Sequence, residues 1–238
     1  MRGRSALAPI AVFRHGSAMA RKTSESPTLR LDLPPLVAND ELERRAAKRF
    51  PGLVAGADEA GRGPLAGPVV AAAVAFEPSR HPQGLADSKK LTAARREALF
   101  DEICLSGFVA VTVASVNRID ATDIRKASLW AMAQSLSALP RAPSFALIDG
   151  RDVPDECPCP AEAVIKGDAR SISIAAASIV AKVTRDRLMV KMAKAYPGYG
   201  FERHKGYGTS EHMEALDRLG PCPLHRTTFK PIAELLAR

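Results

Sequence analysis

The sequence predicts an α/β protein: one mixed sheet flanked by helices, followed by a smaller, mostly helical C-terminal portion. Three observations carry that prediction. Two apolar segments, residues 54–58 and 69–76, are too close along the chain for a helical crossover and so pair as antiparallel strands. Beyond them, strand-like runs alternate with stretches whose apolar residues recur at three- and four-residue steps. The longest helical stretch, residues 171–195, is rich in small side chains (Ala175, Ala176, Ala177, Ser178, Ala181). Small side chains let a neighbouring backbone come close, which marks this helix as the central packing element.

Taken in order, residues 1–36 mix Arg, Ser and Pro without sustained periodicity and close on Pro34 and Pro35, so they read as a disordered basic tail ahead of one domain over 37–238. The first 24 residues are Arg-containing and free of acids, as in a transit peptide, but no amphipathic helix accompanies them. Asn39 or Asp40 caps a short charged helix through Phe50, with acids early and bases late to suit the helix dipole, and Pro51-Gly52 ends it. After the first two strands comes a loop over 78–85, then Thr92 as N-cap of a helix that aligns Leu99 with Ile103. Residues 108–116 form a third strand. A helix over 121–139 carries Leu129, Met132, Leu136 and Leu139, and Pro140 and Pro143 stop it. Phe145 to Ile148 form a short buried strand that runs into Asp149-Gly150, prolines at 154, 158 and 160 keep 151–163 irregular, and 163–165 add one more strand. Residues 197–207 form a Gly-rich loop, Thr209 or Ser210 starts a helix to Leu219, and a basic loop over 221–231 precedes a short last helix.

At 238 residues the chain can bury a core without disulfides, and no run of it approaches a membrane span. The net charge of +8 points to a polyanionic partner, but half of it lies in residues 1–36, where six bases face two acids. Four cysteines, at 104, 157, 159 and 222, lack zinc-site spacing and read as reduced thiols, as in a cytoplasmic protein.

The chemistry-bearing residues are acids at strand and helix ends. Asp58 and Glu59 follow an apolar run, and because strand neighbours point to opposite faces, both reach one site only if the strand breaks there, as Gly61 and Gly63 allow. Asp149 repeats the arrangement, and Asp168 lies just before the long helix. Each alone also reads as an ordinary turn or helix-end acid. Together they form the hard-oxygen set that Mg²⁺ or Mn²⁺ prefers. Gly61-Arg62-Gly63 can cradle a phosphate, but Pro64 and Pro68 rule out the dinucleotide-binding fingerprint, which must open a helix. In His204–Thr209, glycines expose Tyr207 beside Lys205, which suits stacking on a sugar or base. Lys89, Lys90, His225 and Arg226 read as surface charges unless they line the same groove.

From about residue 40 to its end the chain resembles bacterial ribonuclease HII. The resemblance rests on 56–70, 87–91 (Asp-Ser-Lys-Lys-Leu), 147–150, 166–186 and 204–209, in the family's order. It implies a ribonuclease H-like fold, with Asp58, Glu59, Asp149 and Asp168 as catalytic acids holding Mg²⁺ or Mn²⁺, two ions with substrate bound. It assigns Gly61, Arg62, Gly63, Ser88, Lys89 and Tyr207 to substrate binding, with Tyr207 sensing the ribonucleotide. Asp168 is preferred over Asp186 as the fourth acid because Asp186 lies deep in the helix between Arg185 and Arg187. The implied substrates are RNA–DNA hybrids and DNA duplexes containing ribonucleotides, cut by a monomeric cytoplasmic endonuclease. A module that binds hybrids without cutting them is the alternative, and it would tolerate loss of any acid.

Overall fold

Strand β1 (Val54–Ala60) sits at the centre of a five-stranded sheet of order β3-β2-β1-β4-β5. A computed structural model describes residues 38–86, 88 and 91–237. The expected tail over 1–36 and the candidate Lys89 lie outside these residues.

β1 pairs antiparallel with β2 (Val69–Phe76), which pairs antiparallel with the edge strand β3 (Gly107–Ala114). On its other side β1 pairs parallel with β4 (Phe145–Asp149), and β4 with β5 (Ala161–Val164). The parallel pairing of β1 with β4 puts Asp58, Glu59 and Asp149 at the same end of the sheet. The mixed sheet is thus the one expected, with the last strand two residues earlier than the 163–165 anticipated.

Helices cover both faces. Ala55, Ala57, Ala71, Ala73 and Ile148 pack on Met132 and Leu136 of α4 (Ile124–Ser137). The opposite face, with Ala72 and Val74, packs on Ile179 and Val183 of α5 (Ile172–Ala195) and on Leu99 and Ile103 of α2 (Ala93–Ser106). Alanines on both faces bring helix and sheet backbones close. At Gly56 the approach is tightest: a Cβ there would run into the backbone of Ser173 and Ile174. α1 (Glu41–Arg49) closes a smaller cluster of Leu42, Ala46, Phe145 and Leu147.

Caps set several boundaries. Thr92 and Ser171 each accept a hydrogen bond from the N–H three residues on. The helix predicted over 121–139 is α4, which Asp123 caps, and a separate short helix not foreseen, α3 (Val116–Ala121), capped by Ser115, precedes it. β3 accordingly stops at Ala114, short of the predicted 116.

Beyond α5 the chain forms α6 (Phe201–His204), inside the stretch expected to be loop, then α7 (Ser210–Leu219), capped by Thr209, and α8 (Lys230–Leu236). These pack around Tyr199, Phe201, Leu216 and Ile232 with Leu65 and Met189, so the helical C-terminal portion sits against the loop after β1. All four cysteines are free thiols. Among the described residues no helix is long and apolar enough to cross a membrane.

Candidate active site

The break expected after Glu59 is absent: pairing with β2 continues to Ala60↔Val70. Asp58 and Glu59 therefore leave β1 on opposite faces. Asp58 turns to the α5 side, where Ser178 hydrogen-bonds it, and its Oδ1 also accepts the Glu59 N–H at 2.7 Å. Glu59 turns to the α4 side, into a cleft it shares with Asp149, Ser128, Arg125 and Arg151. Asp149, the last residue of β4, belongs to both sides: it lines that cleft and repels Asp58 and Glu59 alike.

The electrostatics record this crowding. Burial first, then the Glu59 and Asp149 carboxylates, push the Asp58 carboxyl well above its ordinary value against weaker opposition from Ser178 and the Glu59 N–H. Burial also raises Glu59, with Arg62 pulling the other way and Asp149 adding to the rise. Arg62 Nη1 lies 3.2 Å from Glu59 Oε1, and the arginine is half exposed while the glutamate side chain is not.

Asp168 is buried in a single 3₁₀ turn, Gly167–Ala169, at the mouth of α5. The turn is tied to the cluster because the Gly167 N–H donates to Asp149 Oδ1 at 2.7 Å. A side chain at 167 would crowd Ile174 and that carboxylate, so glycine permits the approach. Asp186 is occupied by Lys182 at 2.8 Å, one turn away on α5.

Of the other predicted residues, Tyr207 is 46% exposed and stands beside Gly63, where an added Cβ would lie 3.6 Å from its ring. Ser88 is buried, its Oγ 3.0 Å from Ser178 Oγ, so it supports the serine that bonds Asp58. His225 and Arg226, read from sequence as surface charges, are both buried. His225 Nε2 lies 3.0 Å from His212 Nε2, and Arg226 bonds backbone carbonyls under the Gly61–Gly67 loop. Sequence reasoning missed Arg185 as well, fully buried on α5. A signal existed: Ser178, Ala181, Arg185 and Met189 fall at helical steps along one buried stripe.

A cluster of carboxylate oxygens, with the charge of two members disfavoured by burial and neighbours, fits a divalent cation: it supplies hard donors and gathers more negative charge than the Arg62 pairing offsets. Among the described residues no three His, Cys, Asp or Glu side chains are closed into a ready cage. The ribonuclease H enzymes as a class depend on divalent metal ions.

Comparison with known proteins agrees with this arrangement. The family model described as Ribonuclease HII matches residues 55–232. The chain is 62% identical to the ribonuclease HII of Azorhizobium caulinodans over 190 residues, 80% of this chain and 73% of that one. It is 54% identical to the ribonuclease HII of Rhizobium etli, over 90% of this chain and 93% of the relative. Among solved structures, the ribonuclease H2 of Pyrococcus horikoshii superimposes with a TM-score of 0.68 at 28% identity, covering 79% of this chain and 98% of that one. A match that begins in the strand carrying the first two acids and ends inside the last helix places this chain in the ribonuclease HII family and makes it a ribonuclease H hydrolase.

Proposed function

We propose that this protein is an endonuclease that hydrolyses the RNA strand of RNA–DNA hybrids and nicks duplex DNA on the 5′ side of a single embedded ribonucleotide, leaving 3′-hydroxyl and 5′-phosphate ends. The observation that carries the reading is the convergence of Asp58, Glu59 and Asp149 at one end of the sheet, within mutual repulsion, next to an exposed tyrosine and a Gly-Arg-Gly loop.

Asp58, Glu59, Asp149 and Asp168 would hold two divalent cations, Mg²⁺ or Mn²⁺, which when bound supply a water of lowered pKa and positive charge beside the leaving oxygen. Ser178 and Gly167 orient the Asp58 and Asp149 carboxylates, so the ligands are fixed from behind. Arg62, Arg125 and Arg151, which share the cleft with Glu59 and Asp149, meet the phosphate backbone. Such contacts make binding fall with salt without choosing sequence. The 2′-hydroxyl is what tells RNA from DNA, and the backbone of Gly61–Gly63 with the Tyr207 hydroxyl is the group set that meets it.

The test is a DNA duplex carrying one ribonucleotide, incubated with Mg²⁺ and, in parallel, with a chelator. A single nick 5′ to the ribonucleotide that needs the metal is expected. An intact duplex, or cutting that ignores the chelator, would overturn the proposal.

A further inference from the structure

Two guanidinium groups lie buried side by side under the loop that follows β1. Arg185, from α5, donates Nε to Pro68 O at 3.0 Å, Nη2 to Ala66 O at 3.1 Å and Nη1 to Lys205 O at 3.1 Å. Arg226 donates Nε to Gly67 O at 3.0 Å, Nη1 to Arg62 O at 2.8 Å, and Nη2 to Gly61 O at 2.6 Å and Gly67 O at 2.8 Å. Every one of these acceptors is a backbone carbonyl. Among the described residues neither arginine is in an ion pair with a carboxylate. Burial, then mutual repulsion, lowers Arg226 to about 9, so it is still charged at neutral pH.

Burying two like charges on carbonyls alone is an expensive way to fill a core, since apolar residues of similar volume are often as stable. What the arrangement secures is direction. A trans peptide holds its C=O and the next N–H antiparallel. Capturing the Gly61 and Arg62 carbonyls from the buried side therefore turns the N–H groups of Arg62 and Gly63 to the exposed side, where both residues face solvent. Gly61 has φ +101°, and a Cβ there would overlap the Arg185 side chain. Its glycine thus serves the clamp, whereas a Cβ on Gly63 would meet only the Tyr207 ring, at an ordinary 3.6 Å contact. Arg185 joins the second loop to the first through Lys205, a non-glycine residue at φ +53°, and Leu65 N–H adds a bond to Gly206 O at 2.8 Å. Holding Lys205 in that left-handed conformation needs such an anchor.

We infer that Arg185 and Arg226 are positioning residues for ribonucleotide recognition: together they fix the Gly61–Gly63 amides and the Tyr207 loop in one mutual geometry that neither loop holds alone. The inference rests on the proposed reading of Gly61–Gly63 and Tyr207 as the ribose-sensing groups. A lysine at either position keeps the charge but loses the planar fork that spans several carbonyls. A duplex with one ribonucleotide offers a single 2′-hydroxyl and depends on that geometry. A continuous hybrid offers many and depends on it less.

The experiment measures kcat and KM on both substrates for the full chain and for Arg226→Lys, Arg185→Lys and Tyr207→Phe, with folding checked by circular dichroism. Each lysine variant is expected to lower the ratio of single-ribonucleotide to hybrid kcat/KM by about tenfold or more, mainly through kcat, since ångström-scale misplacement costs rates of that order. A generally weakened protein would lose both activities together, and equal losses would overturn the inference. Should Arg226→Lys fail to fold, Arg185→Lys decides by the same criterion. Tyr207→Phe separates the two levels: an unchanged ratio there sinks the reading of the site itself. A fall with Tyr207→Phe but not with the folded lysine variants sinks the clamp alone.

Discussion

Asp58, Glu59 and Asp149 ride on hydrogen-bonded strands, whereas Gly61–Gly67 and Tyr207 ride on loops fixed by side chains from more than a hundred residues away and from the turns beside them. The strands deliver their acids to one end whatever happens beyond them. The loops have no such guarantee: the Gly61, Arg62, Ala66 and Gly67 carbonyls are held by two arginine side chains that must themselves be buried first. Damage to the acid half should therefore abolish chemistry and spare the fold, while damage to the loop half should reach stability and substrate choice together.

The largest effect tests the acid half. Asp149→Asn keeps the oxygen that accepts the Gly167 N–H but removes the charge that repels Asp58 and Glu59. Cleavage should fall by more than about a hundredfold, beyond what loss of a supporting residue around a metal typically causes. Thermal stability without metal should stay level or rise, because a buried repulsion is relieved. An active variant, or one that melts much earlier, would break the contrast.

Within the loop half, two glycines of one motif should behave differently. Gly61→Ala must accept positive φ and displace Arg185, a penalty of about 3 kcal/mol. Gly63→Ala meets only an ordinary contact with the Tyr207 ring and should shift stability by about 0.5 kcal/mol or less, while still impairing cleavage at a lone ribonucleotide. Urea denaturation of the two variants gives the comparison directly, and equal midpoints would refute it.

The pH response sharpens the same division. Burial, with His212 adding repulsion, pushes the His225 imidazole down to about 4 from an ordinary 6.5. Above 6.5 it is neutral in both states and its stability contribution is complete. As pH falls through the window from 6.5 to about 4 the unfolded chain takes up the proton first, and that contribution is lost. Asp58 and Glu59, raised by burial, act with the opposite sign, but they are common to wild type and to His225→Gln and cancel in the difference. The stability gap between those two proteins should narrow from pH 7.5 to pH 4.5, and parallel curves would remove the histidine from the account.

The same contrast explains what could be read from the sequence. The strands were legible because apolar runs at 54–58 and 145–148 each end on an acid, and α5 was legible from its small residues and the Ser171 cap. The boundary between α3 and α4 was hidden because the helical signal of Met132 and Leu136 extends past its own N-cap at Asp123, and β-branched Val116 prolongs the strand pattern before it. Arg226 was misjudged, and Arg185 overlooked, because a charged residue is ordinarily placed outside. The carbonyls that satisfy them come together only once the loops have folded. The family resemblance located the Gly-Arg-Gly motif and Tyr207, but the reason Gly61 must be glycine became visible only with the arginine beside it.

The smallest expected effect concerns the far anchor of the Arg226 segment. Asp120, at the end of α3, accepts hydrogen bonds from the N–H and hydroxyl of Thr227 at 2.9 and 2.8 Å and from those of Thr228 at 3.2 and 2.7 Å. Burial opposes its charge, but those bonds prevail and hold the carboxyl below its ordinary value. All partners are exposed enough to find water instead, so Asp120→Ala should cost only about 1 kcal/mol at neutral pH. The difference from wild type should fade as pH drops below the ordinary aspartate value, because the lowered group loses its advantage once protonated. If Arg226 is fixed chiefly by its own carbonyl bonds, the ratio of single-ribonucleotide to hybrid cleavage should change by less than about twofold. A tenfold fall on removing Asp120 would show that the Thr227–Thr228 tether orients the loop and that the guanidinium merely follows it.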